Sequence, residues 1–300
     1  MFNYCPIQPK NTDITNASVY NYHFIMLMRI ALIRYKWINM PFTVNTNYLE
    51  HTLINLGSCL FFVNDIGSYY TLEYVAEQGV YDIYGIPVYR TAISHDGQLR
   101  FRCDDTDSVI IFNSVTYNGD IDIISYHAQR LSDIDLTITV NCFNQKTPIL
   151  LSGTKETELS LRNIMDANYR NEPYLILKDH KDKSIVDMSK QKREQIDIRP
   201  PFVADKMLPV YLTRLNQAFS DLGINSNPNA NKKDRLVSNE VDSNIEQILA
   251  ARDSGLIMRK NACEQINDMF DLNVDVEFNP AVDYIAHNII NQKRGDINEQ

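Results

Sequence analysis

A change of period at residue 58 constrains the fold of this sequence more than any other feature. Residues 58–112 contain short runs rich in aromatic and β-branched residues, which are CLFFV, YYTLEYV, IPVYRTAIS, QLRFRC and SVIIF. Such runs are typical of β-strands, and the HDG segment between two of them predicts a hairpin turn. On both sides of this block the apolar residues recur at helical spacing. A strand-rich block set between helices predicts the α+β class.

Two helices are predicted before the strands. Residues 19–38 are apolar nearly all round, which predicts a helix buried in the core or in an interface. A short helix follows, for which Thr46 or Asn47 can serve as N-cap and Gly57 as the end. Trp37, at the end of the first helix, is interpreted as a packing anchor.

Neither a membrane anchor nor a signal peptide is expected. The most apolar stretch, residues 19–37, is interrupted by Arg29 and Arg34, whereas a bilayer span needs about 20 apolar residues. The first 28 residues contain one base, Lys10, although a secretory signal begins with positive charge.

Helical spacing returns after the strands. Apolar residues spaced by three and four predict one helix over 119–143 and another over 200–223, which Gly223 ends. Pro209 must either kink the second of these or mark its true start. Residues 145–199 lie between them and look like a compact α+β insert. The chain closes with two helices, the second over 258–271, then the strand NVDVEF and a helix over 280–293.

The polar segment 224–240 contains almost nothing to bury, and it carries Lys232, Lys233 and Arg235 within four positions. In a single chain these bases are most simply solvated loop charges. If the loop faced the axis of a cyclic oligomer, they would form a ring of many cations, and phosphate affinity grows with the number of contacts. The formal net charge of −9 argues against a protein that coats nucleic acid non-specifically, but it leaves room for such a local site.

Catalytic signatures are absent from the sequence. It has no phosphate-binding loop, dinucleotide fingerprint, serine-hydrolase elbow or zinc-protease helix. The DDTD segment, residues 104–107, favours an acidic turn between strands, and a Mg²⁺ or Ca²⁺ site is the alternative. KDHKD, residues 179–183, is interpreted as an exposed turn. We therefore expect no catalytic residue, no metal and no cofactor.

The five cysteines are scattered and odd in number, which predicts reduced, buried thiols and an intracellular origin. Lys206 follows PPFVAD at the start of an apolar helix. Taken alone it is a surface lysine whose stem covers apolar surface.

Five blocks in a fixed order carry a resemblance to a known family. They are YKWINMPFTVNTNYLEHTLINLG, QKTPILLSG with LSLRNIM, PFVADKM, KKDRLVSNEV, and ACEQINDMFDLNVDVEF. Together they resemble the upper collar proteins of the small, protein-primed, short-tailed phages (the Picovirinae), which are portal proteins or head–tail connectors. The resemblance covers residues 20–278.

The resemblance implies a portal fold and a homododecameric ring at one vertex of the capsid. Double-stranded DNA would pass through the ring during packaging and ejection. The implied domains run in this order: flexible arm 1–18, wing 19–118, stem helix 119–144, clip 145–199, stem helix 200–223, tunnel loop 224–240, and wing and crown 241–300. The implied partners are the lower collar or tail protein, the major capsid and scaffolding proteins, the packaging ATPase motor and a packaging RNA. The implied location is the virion, after assembly in the host cytoplasm, with no membrane.

The same resemblance assigns roles to five basic residues. Lys232, Lys233 and Arg235 would form a basic collar in the channel, and Lys206 matches a channel-facing lysine of the family. Arg199, seven residues before Lys206, is added by our own inference. Two departures from the family pattern stand out. The arm carries only Lys10, which puts an RNA contact through it in doubt, and Pro209 predicts a kink in the second stem helix.

Two other readings of the sequence stay open. The first is a non-viral scaffold or adaptor that oligomerises through its apolar helices at 19–37 and 120–143. The second is a metal-dependent nucleic-acid enzyme that would use DDTD, with Asp105 and Asp107, and a nearby histidine. Among these readings, the resemblance favours the portal protein, which is not an enzyme.

Overall fold

The structure is a computed structural model that describes residues 14–77, 80–144, 202–226 and 238–298. Its elements follow in chain order. They are α1 (Ile14–Leu32), β1 (Tyr35–Ile38), α2 (Thr46–Leu56), β2 (Ser58–Val63), β3 (Tyr69–Ala76), β4 (Arg90–Ile93), β5 (Arg100–Cys103), β6 (Ser108–Phe112), α3 (Ile121–Asn144), α4 (Ala204–Asp221), α5 (Ser238–Phe270), β7 (Asp275–Phe278) and α6 (Ala281–Asn298). This mixture of helices and antiparallel sheets confirms the α+β class.

The chain divides into two compact units. One comprises Met1–Leu136 with Lys206–Gln300, and the other comprises Thr137–Asp205. In the second unit, the described residues include the end of α3 and the start of α4, where the Val203 amide donates to Asn141 Oδ1 at 3.0 Å. The predicted insert 145–199 and the KDHKD segment within it lie outside the described residues. No helix among the described residues is long and apolar enough to cross a membrane.

The strand-rich block forms a five-stranded antiparallel sheet in the order β5-β4-β3-β2-β6. A flat sheet of five strands would separate its edges by about 19 Å. The link from Cys103 to Ser108 contains only four residues and folds as a turn, so it spans less than its extended limit of about 17 Å. The sheet therefore curls towards a partly closed barrel. Contacts between Arg90 on β4 and Ser108 on β6 agree with this curl, since these strands are not neighbours.

Strand β2 is buried on both faces because it separates two cores. Leu60 and Phe62 lie inside the curled sheet. Cys59 and Phe61 face a second core that includes residues of α2, α5 and β7. A third core is built mainly from α1, α3, α4 and α6.

The first predicted helix is wrong at its C-terminal end. Helix α1 ends at Leu32, and Tyr35–Ile38 instead form a strand that pairs with Asp275–Phe278. Trp37 lies on this strand and is half-buried, with its Nε1 donating to Glu50 Oε1 at 2.8 Å, so it is a packing anchor on β1 and not on a helix. Helix α1 is also not buried all round, since Tyr22 and Ile25 are exposed.

Helix α2 confirms the predicted end and corrects the predicted start. Asn45 is the N-cap, since its side chain accepts hydrogen bonds from the amides of Asn47 and Tyr48, so Thr46 and Asn47 are helical residues. Gly57 ends the helix with a φ of 83°. A Cβ at Gly57 would come within 2.5 Å of Tyr117 O, so the tight packing of this corner requires glycine as much as the positive φ does.

The two helices predicted after the 224–240 loop are one continuous helix, α5, of 33 residues. Gly255 lies inside this helix, against Tyr35. A Cβ there would meet the Tyr35 hydroxyl at 2.3 Å. Because α5 begins at Ser238, it also takes the last residues of the predicted loop 224–240. Ile248 on this helix is buried.

The cysteine prediction is confirmed for Cys59, Cys103 and Cys263, which are free and buried, and wrong for Cys142, which is free and exposed on α3. Burial raises the pKa of the Cys103 and Cys263 thiols to about 12, and it raises the pKa of Cys59 as well.

We therefore expect an alkylating reagent at pH 8 to modify Cys142 at least about 100-fold faster than the three buried thiols. Only the thiolate form reacts, and the raised pKa of the buried thiols leaves very little of it at this pH. Peptide mass mapping of a Cys5→Ser background measures the four rates, with the urea-unfolded chain as control. Equal native rates at Cys142 and Cys263 would contradict the placement of Cys263.

Candidate functional site

Of the five basic residues predicted to contact DNA, the structure describes Lys206. It lies in the first turn of α4, next to Asp205, and both side chains are exposed. Arg199, Lys232, Lys233 and Arg235 lie outside the described residues. The first residues of the predicted 224–240 loop are described, and they show how that segment is anchored.

Helix α4 runs from Ala204 to Asp221 with Pro209 inside it, so Pro209 does not mark the start of the helix. The proline removes one intrahelical hydrogen bond, and the kink that we predict there stays a prediction. The helix end is a Schellman motif. Gly223 has a φ of 73°, its amide donates to Ser220 O, and the amide of Ile224 donates to Phe219 O at 2.8 Å. The predicted stop at Gly223 is confirmed.

Residues 222–226, which we call the loop root, are held by Arg34 and by side chains of α5 and α6. Arg34, just after α1, donates to Leu222 O at 2.9 Å and pairs with Asp120. Burial lowers the pKa of Arg34, but the Asp120 carboxylate together with Tyr35 and Glu50 outweighs burial, so the pKa is raised and the guanidinium stays charged. Ile224 is fully buried in the helical core.

A second arginine clamps the loop root from α5. Arg252 Nε donates to Gly223 O at 2.9 Å, and Arg252 Nη2 binds both carboxylate oxygens of Asp283 at 2.9 and 3.0 Å. Asp283 in turn accepts the amide of Asn225 at 2.9 Å. The guanidinium also lies 3.6 Å from the centroid of the Phe278 ring. Gly223 itself packs so closely that a Cβ would meet the Arg252 amide at 2.7 Å.

Residue Ser226 is the last residue of the loop root and is held by side chains. Its hydroxyl donates to Asn216 Oδ1 at 2.7 Å, and its carbonyl lies 3.0 Å from His287 Nδ1. Because a carbonyl only accepts, His287 must carry a proton on Nδ1. Its Nε2 can then accept from Asn291 Nδ2 at 2.8 Å. The segment that carries the predicted basic cluster therefore begins at residues that neighbouring side chains hold in place. None of Arg252, Asp283 and His287 stands near the loop in sequence, so sequence reasoning missed all three.

Buried histidine–aspartate contacts join the long helices beside the root. His127 on α3 lies 2.9 Å from Asp221 on α4, and Gln247 on α5 donates to the same carboxylate at 3.1 Å. His23 on α1 lies 2.6 Å from Asp135 on α3. These contacts fix the helices that carry the loop root relative to one another.

The DDTD segment forms the turn between β5 and β6, as the sequence predicts. Asp105 pairs with Arg90, the amide of Asp104 donates to Asp107 Oδ1 at 2.8 Å, and Thr106 donates to Asp104 Oδ1. All three carboxylates thus make contacts that stabilise the turn. Within the residues that the structure describes, no group of three or more His, Cys, Asp or Glu side chains could share a metal ion.

We expect Asp283→Ala to loosen the loop root, because it leaves the Arg252 guanidinium without its carboxylate and the Asn225 amide without its acceptor. Hydrogen exchange at Asn225 should become about tenfold faster, which corresponds to losing about 1.4 kcal/mol of local stability. Asp275→Ala, which removes a half-exposed pair with Lys260, is the matched control. If both variants leave Asn225 exchange unchanged, the clamp does not hold the root.

The long helices of this α+β chain hold the root of its polar loop. The family comparison gives the particular assignment. Residues 5–283 match the model of the family described as Phage Connector (GP10), and because this covers most of the chain, the chain belongs to the phage connector family.

Solved structures from phage portals and from a gene transfer agent virion resemble the chain more loosely. The structure titled "Portal and tail of native bacteriophage P68" has a TM-score of 0.47 and 13% identity, over 95% of this chain and 94% of that one. A portal protein of the HK97 family from Corynebacterium diphtheriae has a TM-score of 0.46 and 11% identity, over 89% and 94% of the two chains. A chain of the virion of a native gene transfer agent has a TM-score of 0.44 and 11% identity, over 96% and 90%. The family assignment depends on the family model alone.

Proposed function

We propose that this chain is the portal subunit of a small, protein-primed, short-tailed phage of the Picovirinae. Twelve copies form a ring at one vertex of the capsid. The ring conducts double-stranded DNA during packaging and ejection, joins the head to the tail, and performs no catalytic step itself. The observation that carries this proposal is the match of residues 5–283 to the phage connector family.

In this proposal the domains follow the sequence boundaries. Residues 19–118 form the wing, the helices of 119–144 and 200–223 form the stem, and residues 145–199 form the clip. Residues 224–240 are the tunnel loop, of which 238–240 already belong to α5. Residues 1–18 are an arm, of which 14–18 already belong to α1, and residues 241–300 complete the wing and crown.

The DNA contacts are made by sparse rings of cations. Lys206, exposed in the first turn of α4, contributes one ring, and Arg199 is assigned to the same ring. Lys232, Lys233 and Arg235 contribute the second ring from the tunnel loop. Tight phosphate binding would stall a moving duplex, so a few screened contacts suit translocation better than a continuous basic groove. The anchored loop root supports this role, since it gives the bases a fixed point of attachment.

The proposed partners are the lower collar or tail protein, the major capsid and scaffolding proteins and the packaging ATPase motor. The ring is assembled in the host cytoplasm and ends in the virion. A packaging RNA is the least supported partner, because residues 1–28 contain a single base.

The mass and projected shape of the purified protein test this proposal. Twelve copies of 34.7 kDa give about 416 kDa, and native mass spectrometry with negative-stain imaging should show a closed ring of about that mass with a central hole. A compact monomer or dimer at high concentration would overturn the proposal.

A further inference from the structure

The curled sheet has two free edges of different character. In the order β5-β4-β3-β2-β6, each of β5 and β6 pairs with one neighbour only among the described strands. Free edges present backbone donors and acceptors at the spacing of a strand, so they are natural sites for a strand from another chain.

On β6 the outward backbone groups belong to Ser108, Ile110 and Phe112, and the Ser108 carbonyl already accepts a hydrogen bond from Arg90 Nη1 at 3.3 Å. The amide of Asn113 donates to Gly57 O, so 57 and 113 form a hydrogen-bonded pair. In the register of β2 with β6, the bonded pairs recur every second residue, which directs the backbone groups of Ile111 and Val109 towards β2. Those of Ile110 and Phe112 therefore point away from the sheet.

On β5 the outward backbone groups belong to Arg100 and Arg102. The amide of Ser94 donates to Leu99 O, so the bonded pairs with β4 fall at Phe101 and Cys103. Each edge thus presents two residues, separated by one, whose amide and carbonyl groups face outwards, and on β6 these two follow Ser108, whose carbonyl is bound to Arg90.

The β6 edge lies in a groove of about 780 Å³ between the sheet and α5. Met258, Gln265 and Met269 line its helical side, where a strand placed beside β6 would lie. Three carboxylates, those of Asp82, Asp105 and Asp268, line the groove against one guanidinium, that of Arg90.

The β5 edge carries the opposite charge. Arg100 and Arg102 are both exposed. Arg102 makes an ion pair with Glu77 at 2.9 Å and lies 5.2 Å from the centroid of the Tyr89 ring, while most of its side chain remains in contact with solvent.

We propose that the β5 edge of one copy docks along β6 in the groove of the next copy, so that the sheet continues from subunit to subunit. The two edges match in backbone spacing and oppose each other in charge, and charge complementarity selects partner and register. The contact joins unlike surfaces, and head-to-tail contacts of this kind produce rings when the rotation closes. The inference rests on the proposed ring and names the surface that would build part of it.

Hydrogen exchange distinguishes edges that are paired between copies from edges that stay unpaired and are shielded from other strands by charge and by the neighbouring helix. The amides of Arg100, Arg102, Ile110 and Phe112 should exchange at least about tenfold more slowly in the assembled ring than in unassembled subunits isolated by size exclusion. Phe61, in the interior of the sheet, is the internal control and should not change. A ring whose edge amides exchange as in free subunits overturns this inference and leaves the portal proposal intact, whereas the absence of any ring overturns both.

A proline substitution tests the same contact without disturbing the sheet. The Arg100 amide points outwards, so Arg100→Pro keeps the β4–β5 ladder and removes one edge donor. Arg100→Thr loses the same charge but keeps the donor. We expect Arg100→Pro to raise the protein concentration needed for ring formation about tenfold above that of Arg100→Thr. Circular dichroism confirms that both variants fold, and equal assembly of the two would overturn the proposed pairing.

Discussion

Replacing Arg259 with methionine is expected to lower the free energy of unfolding by about 3–5 kcal/mol. Arg259 lies on α5 and is fully buried, and its partner Glu50 on α2 is 3% exposed at the side chain. Their contact is bidentate, with Nε to Oε1 at 2.9 Å and Nη2 to Oε2 at 2.8 Å. Methionine fills a similar volume but leaves the Glu50 carboxylate buried without its counter-charge.

The effect is large because Arg259 donates hydrogen bonds to several parts of the fold at once. Its remaining donors bond to Asn113 O at 2.8 Å, Asn113 Oδ1 at 3.0 Å and Gly255 O at 3.1 Å, so all five N–H groups are used. The guanidinium also lies 4.1 Å from the centroid of the Tyr35 ring. One side chain therefore joins α5 to α2, to β1 and to the residue after β6.

Urea unfolding of the purified subunit, followed by circular dichroism, measures the loss. Lys36→Met is the matched control, because the Lys36–Glu277 pair is exposed, and its removal should change stability by less than about 1 kcal/mol. Adding Glu50→Gln to Arg259→Met should restore part of the loss, since it removes the unpaired charge and keeps an acceptor for Trp37. An effect of Arg259→Met no larger than that of Lys36→Met would show that the buried pair does not stabilise the fold.

Elements set by nearby residues were predictable from the sequence. Gly57 and Gly223 end their helices because only glycine readily adopts their positive φ, and the HDG turn joins β4 to β5 as its residues indicate. The helix predicted over 119–143 agrees with α3 within two residues. In each case the signal and the structure lie within the same few residues.

Elements set by distant partners were not predictable. Residues 35–38 continue an apolar run that looks helical, and only pairing with 275–278 makes them a strand. The two helices predicted after the loop are one helix, and Gly255 lies within it where the Tyr35 ring packs against the backbone. The same holds for the candidate site. The exposure of Lys206 followed from its position, but the clamp of Arg252 and Asp283 on the loop root joins residues that no local pattern connects.

Replacing Lys232, Lys233 and Arg235 together with alanine is expected to weaken the binding of double-stranded DNA by the assembled ring. Each neutralised phosphate adds about 0.9 to the slope of log affinity against log salt, so the slope should become shallower by about 0.9 for every phosphate that the variant no longer binds. Because a ring repeats each base in every subunit, the substitution acts at several phosphates together. At low salt the affinity should fall at least about tenfold, and the fraction of filled heads that retain their DNA should fall with it.

The choice of control decides what such a loss of affinity means. Arg29→Ala, Lys36→Ala and Lys260→Ala also remove three bases, from exposed or half-exposed positions on α1, β1 and α5, and shift the net charge equally. If binding depended on overall charge, both triple variants would lose affinity alike. If the tunnel loop binds the phosphates, only the loop variant loses affinity and salt dependence, while both form rings of the same mass. A loop variant that retains packaged DNA as well as the unsubstituted protein would overturn the role proposed for the three bases, and the ring itself would still stand.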